Sequence, residues 1–375
     1  MYSEFDPDSK PKDEAWIVWV LYPEIKTEDP ELLYYYDFSQ SYQEYQAVFG
    51  ELGIPWKWQG VSMENHNEVI SGLAEQSLPG KAIVLNLCDG DEANGVPGPS
   101  VIAALEKQGL CYTGADEIFY RNTTSKIPMK KLFEQYGVPT PPWREVNPDG
   151  SNAASIFANL CPPLIVKPAV SAGSLGIGIR SVVHSAEELR AYLLSGNRYY
   201  KNWDLFRDGV FVEEFIDGPE YTSFILGSHR IPETCIVYTP VERHFESSLP
   251  NEEKFLSFDR LWEFYDKELP LEGDKFLWNY CSVDGATSEE LATLSRRAYA
   301  AVGGEGYARI DFRRNASTGQ LYVLEVNAQC GLSDDENYTS IGAILRFGGQ
   351  RYSELILEIL QQALRKEPFP AKMLL

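Results

Sequence analysis

Four short stretches of this 375-residue chain hold residues whose types and spacing could do chemistry. In residues 164–178, LIVKPAVSAGSLGIG, an apolar run ends in Lys167-Pro168 and small residues follow. Small residues let a backbone approach a phosphate closely, and consecutive N–H groups form an anion nest to which a nearby lysine adds a point charge. A glycine-containing hairpin with a surface lysine would read the same way. The stretch is neither GxxxxGK[ST] nor GxGxxG. Nor is it a nucleophile elbow, because Ala172 stands two before Ser174.

Residues 307–329, YARIDFRRNASTGQLYVLEVNAQ, read as two strands joined by a turn at NASTG. Arg309 and Asp311 are two apart and share a face, as do Glu325 and Asn327. A hairpin pairing these ends would gather two carboxylates, an amide and a guanidinium. Such oxygen ligands suit Mg²⁺ held between protein and phosphates. The other reading is a solvated sheet edge. However, Glu325 and Asn327 interrupt an apolar run, LYVLEVN, where charge is costly unless paired. In residues 210–222, VFVEEFIDGPEYT, Glu213 could accept from an adenine amino group and Glu220 from ribose hydroxyls, although the stretch also reads as a plain strand and turn. Lys126, in TTSKIPMKK, opens a helix and reads equally as a solvated lysine on an amphipathic face.

The elements around these residues set the class. Residues 15–22 and 81–88 read as buried strands; residues 38–52, 64–76 and 100–108 read as helices. Strands separated by helices of this length predict a parallel α/β unit. A second unit runs from residue 118, with a helix at 125–136, strands at 163–167 and 177–183, and a helix at 185–194. A third starts at residue 210, with strands at 210–215, 219–227, 306–313 and 320–327 and helices at 287–302 and 350–365. Residues 240–285 are charged and aromatic without clear periodicity, and read as a long functional loop. Residues 1–14 read as a loose acidic tail.

The formal charge is −22, which argues against a nonspecific nucleic-acid or anionic-membrane partner. No apolar run approaches the roughly 20 residues of a membrane span. The N-terminus has no apolar h-region. Six cysteines without a CxxC and four scattered histidines predict neither a zinc site nor a disulfide scaffold, and fit a reducing, cytoplasmic setting.

Taken in order, the four stretches resemble the ATP-grasp superfamily, and within it the D-alanine–D-alanine ligases. The resemblance spans residues 80–365 and includes NLCDGDEANGVPG and GLCYTGA. It implies a three-unit α/β fold, with ATP between the central and C-terminal units. It further implies an ATP-dependent carboxylate–amine ligase working through an acyl phosphate. By resemblance, Lys126 and Lys167 match lysines that contact ATP phosphates. Ala172, Gly173, Ser174 and Leu175 match the loop closing over the γ-phosphate. Glu213, Phe215 and Ile216 match the adenine side, and Glu220 the ribose ligand. Asp311, Glu325 and Asn327 match ligands of two Mg²⁺ ions, with Mn²⁺ as a substitute and Glu325 bridging. Arg309 and Gly331 match groups facing the tetrahedral intermediate. Small carboxylate and amine substrates follow, with a homodimer as a candidate assembly. A nucleotide-binding protein without ligase activity, or a ligase for a non-amino-acid carboxylate, are the alternatives.

Three positions depart from the family pattern. Gly173 stands where serine is usual, Asp89 where histidine is usual, and Glu336 near the serine that holds the acceptor's carboxylate. A carboxylate at Glu336 would make D-alanine a poor acceptor; otherwise the acids at 334–336 cap a helix starting near Asn337. Glu24 is a candidate for the first-substrate glutamate, and Arg243, His244, Lys254 and Lys267 for the loop's basic residue.

Overall fold

The computed structural model describes residues 16–76, 82–201, 203–271 and 276–366. The tail assigned to residues 1–14 lies outside them. The first sheet is parallel, ordered β2-β1-β3-β4, from β1 (Ile17–Pro23), β2 (Trp56–Val61), β3 (Ala82–Asn86) and β4 (Cys111–Tyr112). Parallel pairing needs crossovers. Here they contain α1 (Pro30–Tyr35), α2 (Ser39–Leu52), α3 (His66–Gln76) and α4 (Pro99–Lys107). Neither α1 nor β2 is read from the sequence. In β2, WKWQGV alternates because it is an edge strand, and Trp56 and Trp58 pack on Phe49 and Tyr42 of α2.

α5 (Glu117–Thr124) and α6 (Lys126–Gln135) lead into the second sheet. It holds β5 (Trp143–Glu145), β6 (Leu164–Pro168) and β7 (Val182–Val183), with α7 (Ala153–Asn159) and α8 (Ala186–Leu194) beside them. The strand expected over 177–183 is a 3-10 turn, Ile179–Ser181, before the short β7. Gly176, at φ 78°, turns the chain out of extended geometry just before it. A small hairpin, β8 (Tyr199–Tyr200) and β9 (Trp203–Asp204), precedes β10 (Val210–Glu214). β10 pairs antiparallel with β5 and β6, so it completes the second sheet, not the third. A unit boundary just before residue 210 would cut that sheet.

The third sheet contains β11 (Glu220–Ser228), β12 (Ile231–Val237), β13 (Val241–Phe245), β14 (Trp278–Ser282), β15 (Glu305–Arg314) and β16 (Leu321–Ala328). Its order is β14-β13-β11-β15-β16, with β12 on β11. Residues 240–285 are therefore not one loop: β13 and β14 lie within it, together with α9 (Phe258–Leu261). β13 hides its period because Arg243, at an inward position, stands where an apolar residue would be expected.

α10 (Gly285–Ala301), α11 (Ser340–Gly348) and α12 (Tyr352–Arg365) cover the third sheet. The first and third sheets share their cores: Val18, Val20 and Tyr45 cluster with Phe224, Tyr307 and Ile356. The second sheet keeps a core of its own around Leu164, Val166, Leu189 and Val212.

Phe224 lies in the shared core, its ring 5.3 Å from Tyr238 and 5.7 Å from Tyr307. Phe224→Ala is expected to destabilise the fold by about 3–5 kcal/mol. Urea unfolding measures this as a fall in midpoint at unchanged slope; a midpoint equal to that of the parent would contradict the shared core.

Candidate active site

A cavity of about 630 Å³ opens between the second and third sheets. Its charged wall begins at the β15–β16 hairpin. There Arg309 pairs with Asn327 and Asp311 with Glu325, followed by a bulge before Phe312. Asp311 Oδ1 accepts from Thr222 Oγ1 at 2.7 Å. Its Oδ2 accepts from Arg309 Nε and Nη2 at 3.1 and 3.0 Å, and from Asn327 Nδ2 at 3.0 Å. Asn327 Nδ2 also reaches Glu325 Oε1 at 3.4 Å. The hairpin thus gathers the two carboxylates, the amide and the guanidinium.

Lys126 joins this group from the first turn of α6. Its Nζ lies 3.2 Å from Glu325 Oε2 and donates to Ser171 O at 2.8 Å, while its N–H donates to Ala169 O at 2.7 Å. Burial disfavours charge on Glu325, but Lys126, Arg309 and Lys167 overcome it and hold the carboxyl well below the usual carboxylate range.

Glu213 is buried between two lysines: Lys167 Nζ lies 2.6 Å from Oε1 and Lys130 Nζ 2.5 Å from Oε2. Burial opposes its charge and the lysines lower its pKa; Lys130, itself buried, is pushed down by desolvation. Lys130 was not singled out in the sequence, although Lys126 and Lys130 are four apart on one helix face. Glu220 is buried and ion-paired with both Arg243 and Arg313. Arg313 Nη1 donates to Ile216 O at 3.0 Å, and its guanidinium lies 4.9 Å from the Phe215 ring centre. Arg313 too was legible by spacing, because Arg309, Asp311 and Arg313 alternate along one strand face. Of the four basic residues considered for the loop, Arg243 lines the cavity.

The small-residue loop is folded back sharply. Gly173, Ser174 and Gly176 have φ of 53°, 62° and 78°, a left-handed geometry that costs Ser174 about 1 kcal/mol or more. Leu175 is buried in the second core, and its N–H donates to Ala172 O at 3.0 Å. Trp262 Nε1 donates to Gly173 O at 3.0 Å. A Cβ on Gly173 would lie 2.8 Å from the Tyr35 hydroxyl and 3.1 Å from the Trp262 ring, so the departure from serine has a steric reason. Gly331 lies on the cavity wall and is exposed.

Two candidates fall elsewhere. Glu24 accepts from the Tyr22 hydroxyl at 3.0 Å and lines, with Lys26 and Glu64, an adjoining recess that shares Asn94 and Trp203 with the cavity. Glu336 is exposed, 3.9 Å from Arg346, and off the cavity wall, where Thr339 and Ser340 stand instead. α11 starts at Ser340, not near Asn337. Asp335 Oδ1 accepts the N–H groups of Asn337 and Tyr338 at 3.0 and 3.1 Å, and Thr339 caps the helix. Asp89 lines the cavity.

Among the described residues no three His, Cys, Asp or Glu side chains form a metal cage. Asp311, Glu325 and the Asn327 amide nonetheless fit Mg²⁺: they are hard oxygen donors, and that ion completes its shell with water and substrate phosphates. Lys126 and Arg309 supply the compensating charge in the structure described.

Two sheets facing each other across a cavity of buried lysines, arginines and paired carboxylates define an ATP-grasp ligase, an enzyme that joins a carboxylate to an amine. The chain belongs to the family described as D-ala D-ala ligase C-terminus, whose model matches residues 132–361. It is 26% identical over 303 residues to a D-alanine–D-alanine ligase of Pseudomonas putida, covering 81% of this chain and 82% of that one. It is 28% identical over 294 residues to one of Ectopseudomonas mendocina, covering 78% and 80%. The fold matches the crystal structure of D-alanine–D-alanine ligase from Bacillus anthracis complexed with ATP at a TM-score of 0.65 and 18% identity, over 94% of this chain and 98% of that one.

Gly173→Ser is expected to lower ATP-dependent phosphate release about tenfold or more, because the side chain must displace Tyr35 or Trp262. Adding Tyr35→Phe should recover part of the rate. A Gly173→Ser enzyme as fast as the parent would refute the steric constraint.

Proposed function

We propose that ATP binds between the second and third units and phosphorylates a carboxylate substrate. The carboxylate oxygen attacks the γ-phosphorus, the bond to the β-phosphate oxygen breaks, and ADP leaves. An amine then attacks the acyl carbon, loses a proton, and expels phosphate to leave an amide. The observation that carries this reading is the Arg309, Asp311, Glu325 and Asn327 cluster, with Lys126 against it and Lys167 on the same cavity wall. A protein that only bound nucleotide would not need that cluster.

Lys126 and Lys167 are placed to meet the phosphates, with Ala172, Gly173, Ser174 and Leu175 covering them. Phe215 and Ile216 offer the backbone that meets the adenine, beside Glu213. Glu220 takes the ribose hydroxyls, held in place by Arg243 and Arg313. Asp311, Glu325 and Asn327 would hold Mg²⁺, two ions with Glu325 shared, and Mn²⁺ would substitute. Bound there, the metal would offset phosphate charge. Arg309 and Gly331 face the tetrahedral intermediate, whose oxyanion the guanidinium would stabilise. Water must be kept from the acyl phosphate; Tyr35 and Trp262 over the loop serve that end.

The relatives are named for joining D-alanine to D-alanine, and that pair is the first to test. Glu336 lies off the cavity wall, so the ground for expecting D-alanine to fail as acceptor is removed. α11 begins at Ser340 on the cavity wall, and a helix N-terminus favours an anion such as an acceptor carboxylate. A cytoplasmic setting follows for such an enzyme, and six free cysteines support it. No helix among the described residues is long and apolar enough to cross a membrane.

Two experiments test the reading. Glu325→Gln should abolish turnover while the circular dichroism stays that of a folded protein, at a lower melting temperature because Lys126 loses its partner; near-normal ADP production would remove Glu325 from the metal site. Lys167→Ala, which leaves Lys130 to hold Glu213, should weaken ATP binding most at low salt and leave adenosine binding unchanged. Calorimetry showing equal ATP affinity would take Lys167 off the phosphates.

A further inference from the structure

The chain turns sharply where β16 ends, and the residue that makes the turn is locked from the first unit. β16 carries Glu325 and Asn327 to the cavity and stops at Ala328, while Gly331 stands on the wall beyond it. Val326 and Ala328 pack in one core, whereas Cys330 and Leu332 belong to the other, so the alternation of the strand breaks at Gln329. Gln329 has φ 56°, a left-handed geometry that is costly for a residue with a side chain. Such geometry persists only where the surroundings over-determine it, and it gathers at functional sites.

The Gln329 side chain supplies that constraint. It is buried, and its amide spans the ends of two strands of the first sheet. Oε1 accepts from the Ala115 N–H at 3.0 Å, just past β4, and Nε2 donates to the carbonyl of Asn86, the last residue of β3. Both anchors are themselves fixed: Asn86 N–H donates to Thr113 Oγ1 at 3.1 Å, and Lys366 Nζ donates to Gly114 O at 2.5 Å. A Cβ on Gly114 would overlap the Gln329 amide, so bare backbone is what lets the amide in. One end of the side chain must accept and the other donate, which an amide does and a carboxylate or an apolar group does not. The first and third sheets share their cores and the second keeps its own. The amide therefore ties the Gly331 end of the cavity to the paired units, not to the unit that carries Lys167 and the small-residue loop.

We propose that Gln329 is a positioning residue: its amide fixes the turn that aims Gly331 at the acyl group, acting through the backbone and not on ATP. The inference rests on the ligase reading given above. A small displacement of that turn costs rate, because the groups that meet the tetrahedral intermediate must be aligned with it, and leaves nucleotide binding as it was. A clamp that only added stability would lower the melting temperature and leave the rate unchanged well below it.

The test traps the acyl phosphate with hydroxylamine, which attacks the acyl carbon, loses a proton and expels phosphate to leave a hydroxamate, so no acceptor need be known. The probes are the common amino acids in both hands and their deaminated counterparts, with Mg²⁺ and ATP. Gln329→Gly leaves the left-handed geometry open to the chain but removes both bonds. It should lower the rate on the best acid about tenfold or more and leave the KM for ATP unchanged. Gln329→Glu adds a readout that lost stability would not mimic. Protonated, the introduced carboxyl can accept from Ala115 and donate to Asn86; ionised, it meets the Asn86 carbonyl with no proton to give. Burial and that carbonyl raise its pKa, and the protonated form is the working one. The rate of Gln329→Glu relative to the parent at the same pH should therefore be highest at the acid end of the profile and fall as pH rises. A Gln329→Gly enzyme as fast as the parent, or a Gln329→Glu ratio that does not fall as pH rises, would overturn the role and leave the ligase reading standing. Hydroxamate from no acid in the parent, with ATP still bound by calorimetry, would overturn both. The pH profile decides the matter even if Gln329→Gly fails to fold.

Discussion

Three acids at the meeting of the second and third sheets are held by cations from other elements of the chain. Glu213 of β10 has Lys130 of α6 and Lys167 of β6. Glu220 of β11 has Arg243 of β13 and Arg313 of β15. Glu325 of β16 has Lys126 of α6. Stripping such ions of water costs several kcal/mol each, and removing one partner of a buried pair costs about 3–5 kcal/mol. α6, paired to the second sheet through Lys130–Glu213 and to the third through Lys126–Glu325, therefore cannot leave either sheet without stranding a charge. The same constraint prepares the site, because cations already desolvated and aimed have little left to reorganise when a phosphate arrives.

What the sequence showed of this network depended on how local each piece is. The hairpin cluster was legible because a strand has a period of two and NASTG can only turn back, which puts Asp311 opposite Glu325. Glu213 and Glu220 were legible as acids in apolar surroundings, but not the pairings that hold them. Arg243 and Lys130 reach them from other elements, and no spacing near Glu220 points to β13. Arg243 also conceals its own strand, since a buried arginine breaks the alternation that would have marked residues 241–245. The Glu336 reading failed for a related reason. Counting from Gly331 assumed a straight path, whereas Asp335 and Thr339 each cap a turn and bring Ser340 to the wall instead.

The small-residue loop shows the limit of local reading from another side. Its small residues announced flexibility, yet its shape is set by Tyr35 at the end of α1 and by Trp262 after α9. Both lie in stretches with little periodic signal. Gly173 is thus a consequence of contacts distant in sequence, and its departure from the family pattern carries information only once those rings are in place.

The charges also bear on the overall acidity. Lys126, Lys130, Lys167, Arg243, Arg309 and Arg313 face Glu213, Glu220, Asp311 and Glu325, a surplus of two positive charges in a chain of net charge −22. Two charges do not balance a triphosphate together with the charge that develops as its γ-phosphoryl group moves. More lysines would not solve this without stranding cations in the empty site, where each would lack a partner. A divalent ion arriving with the nucleotide would solve it, because its charge would enter with the phosphates it offsets. Asp311 and Glu325, which pair with Arg309 and Lys126, would then serve the metal as well.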